Sequence, residues 1–470
     1  MISLNIGGFT IKIKNIAIML GIMFVFLMVI GSTNAADANS TDLPVQSTPE
    51  SIEISDAKSF SDLSHEIENA KDILVLKGEY RYDPDKDEDY EKGVTITKDI
   101  KIYGEDCTID GSRQARCLKI DSGCKVTLNQ ITFKNGHTKN SPGGAIYLSP
   151  YSKLTINNCI FKGNIAYNSN GGAIAAGHHT NLKIYNSKFD SNKAISVSKS
   201  SKSKKGMGGA LKVGIGSKLT LVNCEFKKNK AHLSIILVVS HNKKMGTKTS
   251  KVYVKNCLFK KNRAKINGVF YLDEYGRGKF INCIFKRNIA EKEGIVILDA
   301  SKYVLVKKCY FYKNTGVYGG AIKLVKHKKS VAHAKISKCT FIKNRAKRDG
   351  GAIFSQNAKL TITKCKFIKN RASLSGGAVE LRGGKPKLIK PYFKKNRAKY
   401  GGAILLKDKK SIKLYKAKFI KNKAKEGKNY LGICHHCLMN STLKNNKLTL
   451  SKIIVKDKKS DENKKKQKNK

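Results

Sequence analysis

The sequence predicts an all-β fold: a right-handed, single-stranded parallel β-helix of about a dozen stacked coils, closed at its start by a short capping helix. Three observations predict it. A motif, Cys-x-Phe-x-x-Asn-x-Ala, recurs with its aromatic at Phe133, Phe161, Phe189, Phe226, Phe259, Phe285, Phe311, Phe341, Phe367, Phe393 and Phe419, at intervals of 26 to 37 residues. A second motif, Gly-Gly-Ala, follows at Gly143, Gly171, Gly208, Gly319, Gly350, Gly376 and Gly401, and Ile235-Ile-Leu, Gly268-Val-Phe and Gly294-Ile-Val fill the same slot between Phe226 and Phe311. Each unit also contains short alternating segments such as Lys153-Leu-Thr-Ile-Asn-Asn-Cys-Ile-Phe161, and a period of two with β-branched residues marks strand.

A 26-residue unit is too short for a helix-containing crossover between parallel strands, but it suits one coil of three short strands. A single coil cannot bury its apolar side, whereas a stack shares one core. Leucine-rich and two-helix solenoids are excluded, because neither a Leu-x-x-Leu-x-Leu signature nor a 3.6-residue period is present. In the stack the phenylalanines form an inward ladder. The Asn three residues after each Phe, from Asn164 to Asn422, is expected to link coil to coil through its amide, since a buried polar group needs a partner. The paired glycines serve a tight bend.

In chain order, Lys12 and Lys14 precede the apolar run 16–30 and a small-residue exit at Ala35 and Ala36. This reads as a secretory signal over 1–36, with no transmembrane anchor after cleavage. A Ser/Thr/Pro/Asp linker covers 37–56. Over 57–71, Phe60, Leu63, Ile67 and Ala70 stand at helical spacing and predict the capping helix. The β-helix itself spans 72–455, with a last coil at 448–455. A lysine-rich tail at 456–470 is read as disordered.

The formal charge of +57 comes from 92 Lys+Arg against 35 Asp+Glu. Such an excess favours polyanionic partners: acidic glycans, cell-wall polymers or other cell surfaces. Secretion argues against nucleic acid inside the cell. The position two after Phe reads Lys228, Lys261, Arg287, Lys313, Lys343, Lys369, Lys395 and Lys421, and cations recur four after Phe at Lys230, Arg263, Arg345, Arg371, Arg397 and Lys423. Pointing outward, these residues form a basic ridge with one charge per rung of about 4.8 Å. Unit charges at that spacing repel by about 0.9 kcal/mol in water, and the repeat offers few carboxylates to offset it. The plain alternative is a solubilising face.

With Gly-Gly-Ala-Ile alternating with Phe-x-x-Asn, the chain resembles the polymorphic outer-membrane protein repeats of chlamydiae. It is similar, still more, to adhesin-like surface proteins of methanogenic archaea, whose opening segment Ile73-Leu-Val-Leu-Lys-Gly, Ile102-Tyr-Gly-Glu and Asp110-Gly also resembles. The resemblance spans 72–455 and implies a pectate-lyase-like β-helix, a secreted or cell-surface location and adhesion rather than catalysis. The Ig-like repeats and C-terminal anchor common in such proteins are absent from the sequence.

The enzymatic alternative is a polysaccharide lyase or glycoside hydrolase. Asp273 and Asp299, 26 residues apart, should sit on adjacent coils, where paired carboxylates could do acid/base work. They and the nearby Glu274, Glu291 and Glu293 read as the one acidic cluster of the repeat region, and the absence of Trp removes a common sugar-stacking platform. The cysteines two before the ladder Phe are expected to be free, buried thiols, because stacked Cβ vectors run parallel rather than converging. Cys434, His435, His436 and Cys437 offer only half a zinc site, and a redox-active or plain loop is the preferred reading. Asp83, Asp85, Asp87 and Asp89 alternate, but Glu88 stands where an EF-hand needs Gly, so a solvated acidic loop is expected. No cofactor is implied.

Overall fold

The computed structural model describes residues 2–6, 9–13, 57–198, 205–240, 249–299, 301–326, 332–407 and 411–426, with short strands at 430–434, 437–440 and 453–454. Met1–Ser55 and Asp56–Lys470 are separate compact units. In the first, Ile2–Ile6 and Phe9–Ile13 form an antiparallel hairpin. The apolar run of the expected signal, the 37–56 linker and the 456–470 tail lie outside the described residues. Among the described residues no helix is long and apolar enough to cross a membrane.

In the second unit the chain climbs as parallel coils with three strand faces, typified by one coil. Lys359–Thr363 and Lys366–Ile368 flank a bend on the first face, Arg371–Ala372 forms the second, and Val379–Arg382 forms the third. Each strand pairs in register with its equivalents one coil away. Phe341 faces Phe367 and Phe367 faces Phe393, Ala346 faces Ala372, and Ile353 faces Val379. The vertical register required by the repeat is therefore what the structure shows.

Register places like on like. The ladder phenylalanines stack with ring centroids 4.5 Å apart at Phe259–Phe285 and 5.1 Å at Phe393–Phe419, their planes nearly parallel. Each ring is buried and contributes apolar area and face-to-face contact together. The Asn column is equally complete. Asn288 donates from its backbone N–H and its Nδ2 to Oδ1 of Asn314 (3.0 and 3.1 Å), and from Nδ2 to the Phe259 carbonyl (2.8 Å). Its own Oδ1 accepts both groups of Asn262 at 3.0 Å. An unpaired buried amide would cost about 1–3 kcal/mol for each lost partner; here every coil satisfies the next. The glycine pair is needed twice over. Gly350 has φ +65°, and a Cβ on Gly351 would lie 2.0 Å from the Gly377 carbonyl oxygen.

At the start of the stack, Phe60–Asn69 forms the capping helix. Ser59 and Asp62 make its capping box, and Phe60, Leu63 and Ile67 are buried on the core. The acidic loop departs from expectation here. Asp87 is buried, not solvated; its carboxylate accepts the N–H groups of Phe60, Ser61 and Asp83, each at 2.9 Å. It thus satisfies free donors at the helix N-terminus.

At the other end, Tyr430–Cys434 continues the third face in parallel with Ile404–Lys407, but Cys437–Asn440 folds back antiparallel upon it. Ile453–Ile454 runs antiparallel to Ser411–Ile412. The described part of 448–455 is therefore not a further parallel coil, because its hydrogen bonds run in the opposite sense.

Candidate functional site

The bend after each Phe needs one residue that turns the chain so that Phe and Asn, three apart, both point inward. That residue, two after Phe, is left-handed in every ladder coil. In the first three it is Asn135, Gly163 and Ser191, with φ of +51°, +70° and +59°. Glycine, with no Cβ, takes this backbone freely and asparagine tolerates it, whereas the Cβ of other residues crowds the carbonyl oxygen. The next eight coils nevertheless place Lys228, Lys261, Arg287, Lys313, Lys343, Lys369, Lys395 and Lys421 there, with φ between +50° and +56°. All eight are exposed, and none takes part in an ion pair recorded among the described residues.

A second left-handed bend, three residues before Phe, is not apparent from the sequence pattern. Gln130 occupies it in the first coil, Asn158, Asn186, Asn223, Asn256 and Asn282 in the next five, then Lys308, Lys338, Lys364, Lys390 and Lys416. The amides link coils: Asn223 Nδ2 donates to Asn186 at 3.0 Å, Asn256 to Asn223 at 3.1 Å and Asn282 to Asn256 at 3.0 Å. The five lysines are exposed. From Lys308 onward the strand that carries the ladder Phe thus has a cation at both ends.

The outer side of that strand is not bare. Tyr310 and Tyr312 stack with centroids 6.0 Å apart, and Lys313 Nζ lies 5.3 Å from the Tyr312 ring. Two coils further on, a groove of about 520 Å³ is lined by Lys366, Ile368, Lys369, Tyr392, Lys394 and Lys395. Around the Asn corner, a second groove of about 510 Å³ runs along Arg371, Arg397, Lys399, Lys423 and Lys425 over small residues. Arg345 pairs in register with Arg371, Arg371 with Arg397 and Arg397 with Lys423, so the cations four after Phe also form a vertical column.

The expectation that carboxylates leave the repeat's cations unopposed holds only in part. Arg263 Nε meets Glu291 Oε1 at 2.6 Å, and Lys323 Nζ meets Glu293 Oε2 at 2.6 Å. These contacts spare the eight residues two after Phe.

The acidic residues form two groups rather than one. Asp299 sits in register with Val325 on the following coil. Tyr271 Oη donates to Asp299 Oδ2 at 3.1 Å. Burial pushes the Asp273 carboxyl above its usual range and the Asp299 carboxylate adds to the rise; burial and the same carboxylate raise the Tyr271 phenol. The second group was not expected: Asp349 and Glu380 are both fully buried. Ser375 Oγ lies within hydrogen-bond distance of Asp349 Oδ1 at 2.7 Å and of Glu380 Oε2 at 2.5 Å, while Arg382 donates to the same two carboxylates at 2.8 and 2.6 Å. Burial raises the Glu380 carboxyl, and the neighbouring Asp349 charge adds to it. With every acid bonded and shut from solvent, this group is a cross-coil clamp.

Among the described residues ten cysteines are free and buried, as expected of small apolar fillers; burial pushes the Cys159 thiol up to about 12. Cys434 and Cys437 are register partners on the terminal hairpin, while His435 and His436 lie outside the described residues. No group of three His, Cys, Asp or Glu placed to hold a metal occurs among the described residues.

The sequence matches the family model described as "Right handed beta helix region" over residues 92–288, 199–353 and 267–390. Matches to solved structures are remote. A mannuronic acid specific polysaccharide family 6 lyase from human gut microbiota is 10% identical, with TM-score 0.35, over 75% of this chain and 85% of that one. The surface adhesin PfbA of Streptococcus pneumoniae is 14% identical, with TM-score 0.36, over 86% and 99%. A PL6 alginate lyase in complex with a trisaccharide is 12% identical, with TM-score 0.23, over 69% and 83%. No curated protein matches the sequence. The matched segments together cover more than half of the chain, which belongs to the right-handed β-helix family.

Proposed function

We propose that this right-handed β-helix is a secreted or cell-surface, adhesin-like scaffold that binds polyanionic polysaccharide, as part of a cell wall or a host surface. The ligand contacts are the column Lys228, Lys261, Arg287, Lys313, Lys343, Lys369, Lys395 and Lys421. One observation carries the reading: eight successive coils hold an exposed cation at a left-handed position that glycine or asparagine would fill with less strain. A merely solubilising charge could sit at any outward strand position without that strain. Repulsion within the column is relieved when a polyanion lies along it, and the resemblance to archaeal adhesin-like proteins agrees with this role.

Binding to an array of acidic glycans at low and at raised salt tests the reading. The intact protein should bind at low salt and lose the signal as screening increases. The triple variant Lys343→Glu, Lys369→Glu, Lys395→Glu should lose it at both. Undiminished binding by that variant removes the proposal.

Polysaccharide cleavage is a second reading, favoured by the Tyr271–Asp299 hydrogen bond beside the raised Asp273 carboxyl. Cleavage of an acidic glycan that disappears in Asp299→Ala would establish it.

A further inference from the structure

We infer that the ligand is a linear acidic polysaccharide lying parallel to the β-helix axis over the Phe-strand face of the C-terminal coils, with its sugar rings against tyrosines and its carboxylates on two lysine columns. This inference rests on the polyanion-binding reading above and adds the footprint, the orientation and the ligand class.

The footprint follows from where both bends carry cations. Lys308 pairs with Lys313 across one strand, Lys338 with Lys343, Lys364 with Lys369, Lys390 with Lys395 and Lys416 with Lys421. On earlier coils the first bend is an amide ladder, so at most one edge is charged. The orientation follows from register: equivalent residues repeat along the axis at the strand spacing of about 4.8 Å, whereas around a coil the cations are irregularly spaced.

The class follows from what lies between the columns. Tyr310 and Tyr312 share one rung as a stacked pair, and Tyr392 lines the groove with Ile368 and the stems of Lys366 and Lys394. Aromatic and aliphatic surface flanked by cations suits a ring with one apolar face and one carboxylate. A 1,4-linked hexuronate advances by about one rung per sugar. Duplex nucleic acid spaces its charges at about 3.4 Å along each strand and falls out of step with the lysines. Tyrosine rather than tryptophan supplies the platform, so the absence of Trp does not argue against sugar.

The test uses the full chain and size-graded oligogalacturonates, with duplex DNA of equal charge as competitor, titrated at low salt. Affinity should climb with each added sugar up to about five, one for each doubly charged rung. The variant Lys308→Asn, Lys338→Asn, Lys364→Asn, Lys390→Asn, Lys416→Asn extends an amide ladder the fold already contains, so it should stay folded and weaken binding by about tenfold. Tyr310→Ala with Tyr312→Ala should weaken binding by the same factor at every salt concentration where binding is measurable, because stacking is not screened.

Salt-sensitive binding that neither variant alters would overturn the footprint while leaving the polyanion reading in place. Tighter binding of the DNA would overturn the ligand class. Failure of the intact protein to bind any polyanion would overturn both.

Discussion

At the bend before the Phe strand, Asn186, Asn223, Asn256 and Asn282 pass a hydrogen bond from coil to coil, whereas Lys308, Lys338, Lys364, Lys390 and Lys416 hold the same left-handed backbone and repel one another. The bend after the strand changes likewise, from Asn135, Gly163 and Ser191 to eight cations. The inward ladders do not change: Phe stacks on Phe, and Asn bonds to Asn, from the early coils to Asn422. One backbone thus serves two kinds of surface. The core sets where the bends fall, and the residues at the bends are free to follow function at a small conformational cost.

If the inward ladders alone hold the stack, breaking one rung should have the largest effect. Asn288→Ala strands the Phe259 carbonyl and the Asn262 donors and removes the Nδ2 bond to Asn314, and should lower stability by about 3 kcal/mol or more. Urea denaturation followed by far-ultraviolet circular dichroism measures it. A loss comparable to that of an exposed substitution would show that the amide column is not a principal support.

A smaller effect should appear at the Asp349–Glu380 clamp, which has no counterpart in the early coils. The Glu380 carboxyl is raised in the folded state by burial and by Asp349, so the native protein retains a proton that the unfolded chain releases. Stability through this group is present below the ordinary glutamate range and falls as pH rises from that value through the raised one. In Glu380→Gln this component should vanish. The stability difference between the wild type and the variant should therefore change across the window, and a difference independent of pH would contradict the assignment.

The contrast between the two regions was only half legible in the sequence. Phe and Asn recur at fixed spacing, and side-chain alternation then dictates which residues share the core; the free cysteines follow from the same geometry. The left-handed bends were hidden because lysine carries no turn signal. The clue lay in the first coils, where Asn135, Gly163 and Ser191 occupy the slot later held by Lys228. The first bend had a similar clue in its run of asparagines before Lys308. Asp349 and Glu380 lie 31 residues apart in different slots of the repeat, and only the stacking of adjacent coils brings them to one Arg382. Asp87 likewise caps a helix 26 residues earlier, a contact made by the fold rather than by any local pattern.

The cost of the cationic bends gives the most direct measurement. In the variant Lys343→Asn, Lys369→Asn, Lys395→Asn, each substitution places a residue that tolerates left-handed backbone and removes one repelling charge. Stability and glycan binding are measured on the same preparation. Stability should rise, by about 0.5 kcal/mol per site, while binding to acidic glycan should fall. A variant that binds as the wild type does, or that loses stability, would contradict the claim that these cations are held at the bends for binding.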